Sequence, residues 1–510
     1  MPSPRAYERL VAELAGEVGV HVAVSWAHAV ALVKHATEHR LVDCPTGTGP
    51  DHTRRALEAL AAAHPALESF ADPQVAPLWK RPISQSGWDR IAQLWSLAPI
   101  ADDAHRVDGY RLGDAYQALS ADARKSRALC QTPPWVAELL LELSVQPALD
   151  EVGADQIRMI DPSCGTGHIL LSAFHRIRSH RPRGRAPRAA VTMERSLERT
   201  LQAIHGVDLD PYAAALARYR LLATTASVLG RPISAVPDAW PVQVAAADSL
   251  LSTDEPLLRP GSYHAVVGNP PYITVRDPQL RERVRHAYPE ECSGKYSLAL
   301  PFTALMTRLA RPAGTIAQLT ANSFMKREFG RKFIEEYLRE LDLTWVIDTS
   351  GAYIPGHGTP TLIMVHKAQP PQGHTVITIR GTAVSRTSRR TRPRAWSGER
   401  SRKPFTNGWR WTASSGAWRS TSGNKHPLPR TSRLLKSRNS RRVWIAAHNR
   451  AAPSLPESDP MSKAATTTLL DALRYLAWMT PAGLFIYNQA ELMCLAVVAA
   501  VGLSHWRDTH

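Results

Sequence analysis

Two short segments concentrate the chemistry of this chain: Asn269-Pro270-Pro271-Tyr272 and, well upstream of it, the turn Asp161-Pro162-Ser163-Cys164-Gly165-Thr166-Gly167. The Asn269 side-chain oxygen can accept a hydrogen bond from an amino group, and Pro270 offers a carbonyl acceptor with no donor of its own. An aromatic exocyclic amine such as N6 of adenine is a poor nucleophile, because its lone pair is delocalised into the ring. Two acceptors that hold both amine hydrogens would favour a more pyramidal nitrogen, while Pro271 stiffens the backbone and Tyr272 offers a face for stacking the base. Such a base must leave the duplex to reach the pocket. Much of the rate would come from positioning and acceptor electrostatics, so the two segments together read as a methyl-transfer site that needs no metal.

Position requires strands. Ile157 to Ile160 is a short apolar run ending at Asp161, after which two glycines let the backbone turn tightly toward a ligand before a helix begins near Ile169. Tyr263 to Gly268 reads as a second buried strand that delivers Asn269. Thr315 to Thr320 supplies a further strand, and Leu343 to Asp348 with Thr361 to His366 a closing pair. Residues 129–378 alternate strands with helices, which predicts a doubly wound α/β sheet of Rossmann-like type. Residues 1–128 read as mainly helical, with Tyr7, Leu10, Val11, Leu14 and Val18 on one helical face, either core packing or a docking surface.

At these residues the chain resembles the S-adenosyl-L-methionine-dependent N6-adenine DNA methyltransferases of gamma-type motif order. The resemblance assigns Asp161, Gly165 and Gly167 to the cofactor turn. It extends to Thr132-Pro133-Pro134-Trp135-Val136, similar to an early cofactor-binding segment in which Thr132 would cap a helix. It also implies that Asp208, in His205-Gly206-Val207-Asp208-Leu209-Asp210-Pro211, binds the cofactor ribose and that Asp248, after Val244, meets the cofactor adenine. Gly294-Lys295-Tyr296-Ser297-Leu298-Ala299, Ala321 to Gly330 and Ile347 to Pro360 resemble the methyltransferases of phage growth limitation and bacteriophage-exclusion (BREX) systems over roughly residues 85–380. The implied partners are double-stranded DNA with a flipped adenine and other phage-defence proteins; the implied location is cytoplasmic. Members of that family are much longer, with a large C-terminal target-recognition part that this chain does not display.

Two other readings stay open. The same tetrapeptide serves enzymes that methylate the glutamine side-chain amide of proteins, and a chain without target recognition would be an inactive partner of other defence proteins. Among lesser candidates, Tyr353 is placed to stack on the flipped base from the opposite side. Cys44 to Gly49 lacks the Gly-Lys-Ser/Thr of a phosphate loop, and Gly356-His357-Gly358 reads as a turn.

The 510 residues carry a net charge of +17, but all of the excess lies in residues 381–450, with 18 Lys plus Arg against the single acid Glu399. Elsewhere 44 basic residues balance 44 acidic ones. A basic character is therefore no property of the catalytic region. Residues 379–455 lose the hydrophobic period and become rich in Arg, Ser, Thr and Trp, with tryptophans at 396, 409, 411, 418 and 444. The segment reads as a disordered nucleic-acid arm or, the favoured reading, as sequence out of the native frame. Residues 456–510 form a last segment with a helical stretch at Thr466 to Met479, and the apolar run Leu492 to Leu503 is too short to span a bilayer. Five cysteines without close pairing or zinc spacing fit a reducing compartment.

Overall fold

The computed structural model describes residues 4–44, 47–97, 107–122, 130–180, 192–349, 360–373 and 375–384, with strands also at 408–417 and 444–447. The chain forms two units, one made of Met1–Asp342, Pro355–Gly358 and Met364–Pro371, the other of Leu343–Ile354, Thr359–Ile363 and Gln372–His510.

The first unit begins with helices α1 (Pro4–Val18), α2 (Val20–Glu38), α3 (Pro50–Ala62), α4 (Gln85–Leu97) and α5 (Tyr110–Leu119). The predicted stripe of α1 is core: Tyr7, Leu10, Val11, Leu14 and Val18 are all buried. Helix α2 is apolar nearly all round and is buried along most of its length, as such a helix must be. Among the described residues no single helix is both long and apolar enough to cross a membrane.

An alternating series follows: α6 (Pro134–Val152), β1 (Met159–Asp161), α7 (His168–Ser179), α8 (Met193–Ala203), β2 (Ile204–Asp208), α9 (Pro211–Leu229), β3 (Gln243–Ala246), β4 (Tyr263–Gly268), α10 (Pro278–Ala287), α11 (Ala299–Leu309) and β5 (Ala310–Ala321). The local signals are legible. Asp210 caps α9 by accepting from Tyr212 N at 3.0 Å and Ala213 N at 3.4 Å, Pro211 occupies the first turn, and Gly230 closes the helix in the left-handed region. Strands β5, β4, β1, β2 and β3 lie in that spatial order and run parallel, with Asp161 opposite Gly206, Asp208 opposite Ala246 and Gly268 opposite Gln318. The expected doubly wound α/β sheet is therefore present. Its strand order reverses between β1 and β4, and the carboxyl ends of those two strands are where open sheets of this kind form a ligand crevice.

Helix α2 reaches α9 through two buried pairs: His28 Nδ1 lies 2.8 Å from the Tyr212 hydroxyl, and His35 Nδ1 lies 2.7 Å from that of Tyr219. Both pairs repeat at the same seven-residue interval, two helical turns, so α2 and α9 share one buried polar seam.

Strand β6 (Asp342–Asp348) lies in the second unit from Leu343 on, β7 (Thr361–Lys367) only as far as Ile363, and β8 (Thr375–Val384) pairs parallel with β6. Strands β9 (Gly408–Ala417) and β10 (Trp444–Ala447) follow, with β9 antiparallel to β8. Strand structure thus continues past the expected boundary at 378, consistent with the β-branched run Thr375 to Ile379.

Candidate active site

Every candidate site residue except Tyr353 lies in the first unit; Tyr353 and Gly356-His357-Gly358 fall outside the described residues, as do most of residues 379–510. The rest converge at the carboxyl ends of β1, β2, β3 and β4. Asp161 ends β1 and is buried. Its Oδ1 accepts from Ser163 N at 3.0 Å, which folds the chain into the glycine turn. Burial, reinforced by the charge of Asp208 and opposed by the Ser163 hydrogen bonds, pushes the Asp161 carboxyl up to about 7.

Gly167 has a φ of 87° and is the N-terminal cap of α7, and a Cβ on it would stand 3.1 Å from the Ala217 Cβ and 3.3 Å from its Cα. Alanine at 167 would pay both for the left-handed backbone and for the contact with α9. Gly165 donates its N–H to Asp208 Oδ2 at 2.8 Å, while Asp208 Oδ1 accepts from Asp210 N at 2.9 Å. Asp208 thus ties the turn to the end of β2. Asp248 Oδ1 accepts from Leu250 N at 3.0 Å and Leu251 N at 3.2 Å, so this oxygen caps its own turn. Gly268, at the end of β4, would bring a Cβ to 3.2 Å from Asp161 Oδ1, so its lack of a side chain keeps the β1/β4 crevice open beside a carboxylate. A glycine turn beside the buried Asp161 and the half-buried Asp208 suits a cofactor that has cationic and hydroxyl groups.

Asn269 is half-buried and Pro270 buried. Asn269 Nδ2 donates to the Cys130 carbonyl and to Thr132 Oγ1, each at 3.3 Å. A carbonyl can only accept, so it fixes which way the amide lies and turns Oδ1 the other way. There Oδ1 accepts a short hydrogen bond from the Tyr272 hydroxyl. Burial pushes the Tyr272 phenol well above its ordinary value, so it stays a donor.

One sequence expectation is corrected here. Thr132 does not cap α6: the capping position is Pro133, no side chain caps the helix, and the Thr132 hydroxyl meets Asn269 instead. The second proline explains this, since Pro134 has no N–H and removes one of the donors that a capping threonine would serve.

Sequence reasoning missed what stands behind the turn. Arg220, fully buried on α9, donates to the Thr166 carbonyl at 2.6 Å and to the Asp108 carbonyl at 2.9 Å, linking the N-terminal helices to the glycine turn. Gln131 joins the same network, accepting from Thr166 Oγ1 at 3.1 Å and donating to the Gly113 carbonyl at 3.1 Å. Gly113 on α5 lies so close that a Cβ would sit 2.4 Å from Thr166 Oγ1. A buried arginine in a largely apolar helix is a signal that could have pointed to this network. Among the described residues no group of His, Cys, Asp and Glu could hold a metal ion.

Residues 202–354 match the Eco57I restriction-modification methylase family. The chain is 37% identical over 424 residues to the adenine-specific methyltransferase PglX of Streptomyces coelicolor, an alignment covering 68% of this chain and 34% of that protein. It is 25% identical over 223 residues to the type II methyltransferase M.BstVI of Geobacillus stearothermophilus, covering 42% of this chain and 37% of the relative. A solved structure of the type IIG restriction endonuclease BpuSI aligns with 73% of this chain and 40% of its own at 15% identity and a TM-score of 0.46. The chain spans about a third of the length of the curated relatives it matches.

Proposed function

We propose that this chain, which carries an Eco57I-type restriction-modification methylase domain over residues 202–354, is an S-adenosyl-L-methionine-dependent DNA methyltransferase acting on adenine N6 in a phage-defence setting. The observation that carries the reading is the amide of Asn269, oriented from behind by the Cys130 carbonyl and Thr132 so that its oxygen turns away from them. An oxygen held this way is an acceptor for an incoming amine.

In the reaction the cofactor supplies an electrophilic methyl group on a sulfonium. Asp161, Gly165 and Gly167 shape its cradle, Asp208 accepts from its ribose and Asp248 from its adenine amine. Asn269 Oδ1 and the Pro270 carbonyl each take one hydrogen of the target N6 amine, drawing its lone pair out of conjugation and toward the methyl group. Tyr272 releases Asn269 and stacks on the flipped base, and Pro271 keeps the tetrapeptide rigid. As the nitrogen takes the methyl group the sulfonium's carbon–sulfur bond would break and leave a neutral thioether, and the alkylated amine would give its surplus proton to water, because neither amide oxygen is basic enough to keep it.

The test is transfer of labelled methyl to unmodified double-stranded DNA. Label on adenine N6 supports the reading; label on protein glutamine and none on DNA would replace it with the amide-methylating alternative.

A further inference from the structure

Two sequence segments with no role in the chemistry above, Gly294 to Ala299 and Ala321 to Gly330, come together in the fold. The first follows β4 and α10, the second follows β5, so both hang from the carboxyl edge of the sheet that carries Asn269. They wall a cleft of about 430 Å³, with the Ser293-Gly294 turn and Lys295 on one side and Arg327, Arg331 and Lys332 on the other. Its volume is that of an ordinary small-ligand site.

The charge is local. Outside residues 381–450 the chain is balanced, yet this lining has four cations against one acid, Glu328. Glu328 bridges Arg331 at 2.8 Å, and Lys332 has Glu336 at 3.9 Å, both pairs being largely exposed and therefore weak. Among the described residues neither Lys295 nor Arg327 has an acidic partner, and both are exposed.

Both walls are set before any ligand arrives. Gly294 O accepts from Arg285 at 2.8 Å, and buried Tyr296 donates to Arg281 O at 2.6 Å, which fastens this wall to α10. The opposite wall turns so tightly that a Cβ on Gly330 would sit 2.0 Å from the Phe324 carbonyl oxygen, so only glycine fits. Leu298 N donates to Ile273 O at 2.9 Å, tying the cleft to the residue after Tyr272.

We propose that this cleft binds phosphodiester groups of the DNA strand that carries the target adenine, with Lys295 and Arg327 as its principal contacts. The inference rests on the DNA reading above. Guanidinium and ammonium groups on a preset concave surface match phosphate oxygens, and backbone contacts of this kind fix register without reading sequence.

The experiment measures binding of a labelled DNA duplex to the full chain over a range of salt concentrations. It compares wild type, the double variant Lys295→Gln/Arg327→Gln, and an equal-charge control, Lys80→Gln/Arg90→Gln, at exposed positions remote in sequence. The expected result is about a tenfold loss of affinity in the cleft variant and a salt slope shallower by nearly 2, at unchanged cofactor affinity, with the control near wild type. A wild type that binds DNA alongside a cleft variant of equal affinity and slope overturns this proposal alone, as does a control that loses as much. A wild type that binds no DNA overturns the reading beneath it as well.

Discussion

The hydroxyl of Tyr272 donates to the side-chain oxygen of Asn269, three residues earlier in the same rigid turn. The acceptor proposed for the target amine is thus occupied by the aromatic residue proposed to stack on the base. The two proposed roles would be sequential, since a ring that swings onto the base would uncover the oxygen that the base then uses.

Tyr272→Phe removes the competing donor and keeps the ring, so methyl transfer should stay within a few-fold of wild type. Tyr272→Ala removes the ring and should lower kcat/KM for DNA by about 5- to 100-fold, the range of one lost base stack. Steady-state kinetics on a short duplex separate the two, and a Phe variant as poor as Ala would assign the function to the hydroxyl.

Thr132 should act on Asn269. Thr132→Val removes one acceptor from the Asn269 amide, and kcat should fall by about 5- to 10-fold, as for one hydrogen bond of about 1 kcal/mol. Cofactor affinity should stay unchanged and Thr132→Ser should restore kcat. Weaker cofactor binding at unaltered kcat would return Thr132 to a cofactor contact.

In the proposed cofactor cradle Asp161 should make cofactor binding pH-dependent. Its carboxyl holds a proton up to about 7, whereas a cationic cofactor bound beside it would favour the carboxylate, so affinity should weaken by up to about tenfold per unit as pH falls below 7. Titration calorimetry should find proton release near pH 6, absent in Asp161→Asn. For the unliganded fold the sign reverses: the unfolded carboxyl ionises near 3.8 and the folded one near 7, so this group lowers stability as pH rises between those values. A pH-independent affinity in wild type would contradict the assignment.

The His28 and His35 seam predicts acid sensitivity. Burial lowers His28 to about 4 and His35 to about 3, the latter helped by His39 and Arg220. The unfolded histidines take up protons near 6.5, so their stability is present above that pH and is lost as pH falls toward 4, on the order of 3 kcal/mol for each histidine. Thermal unfolding between pH 7 and 4 should fall more steeply in wild type than in His35→Gln, and parallel profiles would show that the seam does not titrate.

The sheet was legible because each strand is a short apolar run closed by a residue with a reason to be there: Asp161 to start a turn, Asp208 to tie it, Asn269 to face a ligand. The network behind the site was not legible, because it joins Gly113, Gln131, Thr166 and Arg220 from four distant stretches, and no local period records a contact between them. The sequence reads Thr132 as a cap for a related reason, since its partner lies at Asn269, far along the chain.

The central claim is that Asn269 orients the target amine and takes no part in holding the cofactor. Its most direct test pairs wild type with Asn269→Ala, measuring labelled methyl transfer to unmodified DNA beside cofactor affinity. Wild type should place label on adenine N6 and the variant none above background, with equal cofactor affinity in both. Undiminished transfer by Asn269→Ala, or loss of cofactor binding in it, would contradict the account.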